Sequence, residues 1–211
     1  MPEPPRLLRP RAALLAAALL LAWSTPGFAQ LIRLAAGGGI GVPYSGTQRS
    51  VYATESHLTL GIAAPLSAND VWVYLEATRA ATSGQPYSDP TFVPERTKLR
   101  WYPCALGFRA NSVPRVHRRQ VALYLGAAAI LAPMVIDPPF APSKHSAVSG
   151  LAFEFRPEVA LPSGWRLWAR DRVLLLATNE FGRFDLPEVS PSGSAFELGL
   201  SRDFGRREVA R

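Results

Sequence analysis

The chain has 211 residues, 48% of them hydrophobic and only 18% charged, with a formal net charge of +7. That charge content is low for a soluble domain, where about a quarter is usual, while the near-neutral mean hydropathy excludes a bundle of membrane helices. Nearly all the positive charge is arginine, scattered among apolar segments without a basic block, which argues against a nucleic-acid partner.

Residues 1–29 have the grammar of a cleaved export signal. Arg6, Arg9 and Arg11 form a positive head, Ala12 to Trp23 an apolar run, and Gly27 and Ala29 supply small residues at a cleavage site. The run is shorter than the roughly 20 residues a spanning helix needs. Cleavage after Ala29 is expected, leaving residues 30–211 as one domain. The only cysteine, Cys104, rules out an internal disulfide and is expected as a small packed side chain.

From residue 31 onward, alternation with period two recurs between Pro and Gly punctuation. In 31–42, Ile32, Leu34, Ala36, Ile40 and Val42 share one face, and Arg33 with Gly37, Gly39 and Gly41 the other. In 51–64, Leu58, Leu60 and Ile62 oppose Glu55, His57 and Thr59. In 71–80, Val71, Val73 and Leu75 oppose Trp72, Tyr74 and Glu76. Residues 96–109 are ambiguous. Lys98 and Arg100 alternate with Leu99 and Trp101, which places the two cations on the polar face, but Pro103 predicts a bulge that would shift the register.

Residues 120–131 set Val121, Leu123 and Leu125 against Gln120, Ala122 and Tyr124. In 146–161, Leu151, Phe153, Phe155 and Val159 oppose Glu154, Arg156 and Glu158. In 165–177, Trp165, Leu167 and Val173 oppose Arg166, Arg170 and Arg172, with Asp171 interrupting the apolar face. In 194–204, Phe196, Leu198, Leu200 and Phe204 oppose Glu197, Gly199 and Asp203.

Eight strands of about 10–15 residues exceed the ~5–6 residues of ordinary soluble strands and suit the ~9–11 of a membrane-crossing one. Tight connections at 67–70 and 162–164 alternate with long ones near 81–95, 132–145 and 178–193, the pattern of short turns at one end and long loops at the other. A closed barrel leaves no edge and satisfies every backbone group in lipid. The expected fold is therefore all-β: a single closed antiparallel up-and-down transmembrane barrel of about eight strands. Its apolar face, with Tyr52, Trp165, Phe196 and Phe204 near strand ends, meets acyl chains. Its lumen holds Arg33, Glu55, His57, Glu76, Lys98, Arg100, Glu154, Arg156, Glu158, Arg166, Arg170, Arg172, Glu197 and Asp203.

The segment Glu197-Leu198-Gly199-Leu200-Ser201-Arg202-Asp203-Phe204 resembles the C-terminal assembly signal of bacterial outer-membrane proteins in Glu197, Gly199 and Phe204. Arg202 stands where that signal has a hydrophobic residue, and Gly205–Arg211 follow Phe204. With its strand pattern, the chain resembles the small eight-stranded outer-membrane barrels of the OmpA/OmpX type. The resemblance implies a bacterial outer-membrane location and contact with membrane lipids. The remaining length predicts no further periplasmic domain.

No residues combine into a catalytic, cofactor-binding or metal-binding motif, and no cofactor is expected. His57, His117 and His145 match no zinc spacing. The glycines at 37–41 precede no helix, so they form no phosphate loop, and close strand packing is the better account. A structural or surface-contact role follows, with the lumen charges paired and an extracellular partner reached through 85–92 and 137–142. A monomer is expected. Two alternatives remain: a lipid-modifying enzyme using Ser146 and His145, although adjacent strand residues point opposite ways, and a soluble exported barrel holding an apolar ligand.

Overall fold

The computed structural model describes residues 31–44, 54–66, 71–84, 97–112, 120–137, 142–177 and 192–205. The expected export signal, Tyr52, His117 and the loop segment 85–92 lie outside the described residues, as do 138–141 of the second loop segment.

Each alternating segment forms a strand because β-geometry alone sends successive side chains to opposite faces. The strands are β1 (Ile32–Pro43), β2 (Glu55–Pro65), β3 (Val71–Gly84), β4 (Thr97–Trp101), β5 (Cys104–Asn111), β6 (Val121–Asp137), β7 (Lys144–Ala160), β8 (Trp165–Leu176) and β9 (Gly193–Phe204). All neighbours pair antiparallel, and β1 pairs with both β2 and β9, so the sheet closes on itself.

β4 and β5 are two halves of one strand, which makes the barrel eight-stranded. Both pair with β3 on one side and β6 on the other in a continuous register: Ala80↔Trp101 and Ala77↔Cys104, then Trp101↔Met134 and Cys104↔Leu131. Pro103 interrupts the ladder without shifting it. The Pro103 carbonyl still accepts from the Thr78 N–H at 2.8 Å, and the Tyr102 N–H donates to the Pro133 carbonyl at 2.9 Å.

This corrects the expectation for Lys98 and Arg100. Leu99, Trp101, Pro103, Ala105 and Arg109 all turn inward and are buried, whereas Lys98 and Arg100 point outward. Cys104 is likewise exposed on the outer wall rather than packed inside. Arg109, not anticipated as a lumen charge, is buried. Unbroken parity from Leu99 would have located it.

The registers fix the barrel's shape. Followed once around, Pro43 leads to Gly193, Leu174, Ala152, Ala128, Gly107, Tyr74, Ala63 and back to Arg33 on β1, ten residues from the start. With a rise of about 3.3 Å per residue and about 4.8 Å between strands, this stagger over eight strands tilts them by about 40° around a wall about 8 Å in radius. That width is just enough for side chains to fill.

One end of the barrel, here the turn end, carries the connections at 66–70, 112–120 and 161–164. The other, the loop end, carries 44–54, 85–96, 138–143 and 177–192. The β7–β8 connection is a tight turn with Ser163 at φ 61° and Gly164 at φ 78°, closed by the Trp165 N–H onto the Pro162 carbonyl. Within this three-residue connection, Ser163 and Gly164 take the left-handed conformation of a primed turn, which matches strand twist. The supposed long connection at 132–145 is a short one: β6 and β7 stay paired out to Ile136↔Lys144.

The outer wall is apolar. Leu58, Phe153 and Leu198 are 57%, 48% and 54% exposed, while Arg156 and Glu197 are 0% and 1% exposed. A soluble barrel has the opposite arrangement, so a wall of this kind belongs against acyl chains.

Candidate functional site

The lumen divides into an ionic half toward the turn end and an apolar half toward the loop end. Five arginines (Arg33, Arg109, Arg156, Arg170, Arg172) and five glutamates (Glu55, Glu76, Glu154, Glu158, Glu197) are buried, so the described buried charge balances. Such balance is required, because a buried charge without a partner costs several kcal/mol.

Near the turn end, Arg33 grips Asp203 with two hydrogen bonds, 2.5 Å from Nε and 3.1 Å from Nη2. Its Nη1 donates to Glu158 at 2.9 Å, and its guanidinium lies 4.2 Å from the Trp72 ring centre. Arg156 approaches Glu158 at 2.9 Å and stacks 4.2 Å from the centre of Trp168. Arg109 stands over Tyr74 at 5.0 Å. Planar guanidinium groups suit this layering, since they pair in their plane and stack on their faces.

Trp168 also explains two glycines. Its indole lies against β1 and β9 where a Cβ on Gly37 would meet it at 2.3 Å and one on Gly199 at 2.2 Å. Gly37 and Gly199 are register partners, and Trp168 pairs with Gly199. The glycines therefore form a slot for the ring, as close packing predicted.

At mid-height Arg170 and Arg172 both donate to Glu76. Arg172 also reaches Glu154 at 2.8 Å, and Arg170 reaches Glu197 at 2.5 Å. Above them His57 lies between Glu55, 3.3 Å from Nε2, and Glu197, 3.5 Å from Nδ1. The Trp101 indole N–H donates to Glu55 at 3.1 Å. Beside this junction is a cavity of about 10 Å³, space for about one water, bordered by Gly41, His57 and Leu174.

Beyond Trp101 the lumen is mostly apolar: Leu99, Met134, Ile136, Val148 and Leu176 are buried there beside Thr82, the register partner of Leu99, and Ile130 and Leu174 are buried at the boundary. The interior is thus sealed twice, once by paired charges and once by packed side chains.

Of the expected lumen charges, Arg33, Glu55, His57, Glu76, Glu154, Arg156, Glu158, Arg170, Arg172 and Glu197 converge, and Arg166 and Asp203 line the turn-end rim at 3.6 Å from each other. Lys98 and Arg100 do not join them. Ser146 and His145 pair with Met134 and Val135 and occupy opposite faces of β7, so no Ser/His pair assembles. Among the described residues, no group of three His, Cys, Asp or Glu could hold a metal ion.

No protein-family model matches the sequence, and no curated protein matches it. Solved structures do match its fold. Ail of Yersinia pestis, crystallised with the heparin analogue sucrose octasulfate, is 12% identical, with a TM-score of 0.51 over 83% of this chain and 99% of Ail. Neisserial surface protein A is 14% identical, with a TM-score of 0.50 over 83% of this chain and 96% of its own. The fold is that of the eight-stranded outer-membrane β-barrels, with an apolar outer wall suited to lipid. Identity this low speaks to architecture alone, and one architecture can carry unrelated activities.

Proposed function

We propose that this protein is exported, loses residues 1–29, and serves in the outer membrane as a closed, non-enzymatic barrel whose loop-end connections make contacts at the cell surface. The filled lumen carries this reading. A barrel sealed by ten buried charges and an apolar layer supports no diffusion path and offers no ligand chamber. Function then falls to the connections, where binding residues sit on a rigid scaffold. Its steady partners are membrane lipids along the outer wall, and each barrel is a complete folding unit in one chain. A lipid-modifying activity is not favoured, because Ser146 and His145 face apart.

Protease treatment of intact cells tests the reading, with the mature protein recovered for mass spectrometry. The expected mature chain starts at Gln30, and external protease cuts within 85–96 and 177–192 while sparing 66–70 and 161–164. Cuts at the tight turns, or cuts only after lysis, would remove the surface role.

A further inference from the structure

The ionic lumen leaves several charged residues on the outer wall. Lys98, Arg100, Asp137 and His145 lie on the loop-end extension of β4, β6 and β7. Arg202 lies at the turn end, 5.4 Å from the Trp165 ring centre and 5.3 Å from that of Phe204, as an interfacial anchor. Two further charges face outward within the apolar belt: Asp171 and Arg79.

Asp171 is six residues along β8 from Trp165. At the barrel's tilt each residue advances about 2.5 Å along the axis, so Asp171 stands about 15 Å above the turn-end rim, near the middle of a belt about 25 Å tall. Its register partners are Phe155 and Phe196, both half exposed, and no side chain among the described residues pairs with it. A carboxylate aimed at acyl chains at this depth is unfavourable, and ionisable groups at such depth ordinarily face protein.

Arg79 is eight residues along β3 from Val71, and followed around the wall through the registers it stands about 7–8 Å nearer the loop end than Asp171. Leu58 is its register partner, and the outward residues before and after it are Ala77 and Ala81. Three strands separate β3 from β8 in one direction around the ring. Three also separate them in the other, with β4 and β5 taken as one. Because tilted strands also move around the wall as they rise, the registers place the two charges about 130° apart around the barrel.

We propose that the barrel associates laterally with copies of itself, Asp171 of one barrel meeting Arg79 of the next. The charges are opposite, and the arginine's long stem, reaching toward the turn end, spans the difference in depth. Phe155 and Phe196 stand on either side of Asp171, and Ala77 and Ala81 leave room for them beside Arg79. Since the sites lie on separate faces, upright copies meet with a turn of about 45° from one to the next, and each barrel uses both faces at once. Such a head-to-tail contact with a turn at each copy builds curved rows. The inference rests on the outer wall lying in lipid and goes beyond the single sealed barrel.

Cross-linking in native outer membranes tests it. The variant C104A/A77C/V173C, treated with a short bis-maleimide, is expected to give a ladder of dimers, trimers and larger species. Neither C104A/A77C nor C104A/V173C should do so. Adding R79D, D171R or the milder D171N should lower the ladder by about tenfold, and R79D combined with D171R should restore it. Gel mobility before and after boiling shows that each variant is a folded barrel. Monomers alone from folded protein, as when lipid phosphate holds Arg79 instead, overturn the proposal, and so does a ladder indifferent to the charge variants. A parent protein without heat-dependent mobility would instead strike at the membrane reading itself.

Discussion

At the scale of single residues, the lumen behaves as a mutual requirement. Arg170 touches Glu76, Glu154 and Glu197, and Arg172 shares the first two. Replacing a buried ion pair with apolar groups can be neutral, but removing one partner strands the rest. Arg170→Met is therefore expected to cost about 3–5 kcal/mol in urea unfolding from lipid vesicles. Lys98→Met, at an exposed site, should change stability by less than about 1 kcal/mol. Equal effects from the two would show that the lumen network does not hold the barrel. The ionic character of this site was legible in sequence because Glu154, Arg156 and Glu158 alternate with Phe153 and Phe155. The pairing was not. Arg33 and Asp203 stand 170 positions apart and meet only because β1 and β9 close the ring.

At the scale of elements, the strands with one ionic and one apolar face were legible, and those without that contrast were not. Beyond residue 131, β6 continues inward with Ala132, Met134 and Ile136 and outward with Pro133 and Val135. Both faces are apolar there because the lumen has changed from ionic to apolar, so alternation fades and the segment resembles a loop. The same change misplaced Lys98 and Arg100: at the loop end the polar residues are the outer ones. Connections follow more local rules. Ser163 holds a left-handed conformation that costs a residue with a Cβ about 1–2 kcal/mol. Ser163→Gly should therefore raise the urea midpoint by the equivalent of about 1 kcal/mol, and Gly164→Val should lower it by about 1–2 kcal/mol, both with unchanged slope. A Ser163→Gly protein less stable than the parent would mean that the turn contributes contacts beyond its backbone geometry.

At the scale of the whole molecule, stagger and strand number set the outcome. Eight strands with a ten-residue stagger enclose a space that side chains fill, and this chain fills it with two different materials in series. The ionic half excludes ions because its charges are already paired, and the mostly apolar half disfavours water because Leu99, Trp101, Met134 and Ile136 offer it little to bond to. Each layer alone is expected to block conduction. Purified barrel in a planar lipid bilayer is thus expected to show no current steps. Trp101→Ala should remain silent too, since it opens only the apolar layer and frees the Glu55 contact while Arg170, Arg172, Glu76 and Glu154 stay locked below. Steady unitary currents from the parent protein would show that the lumen opens, and the surface-contact role would then give way to transport.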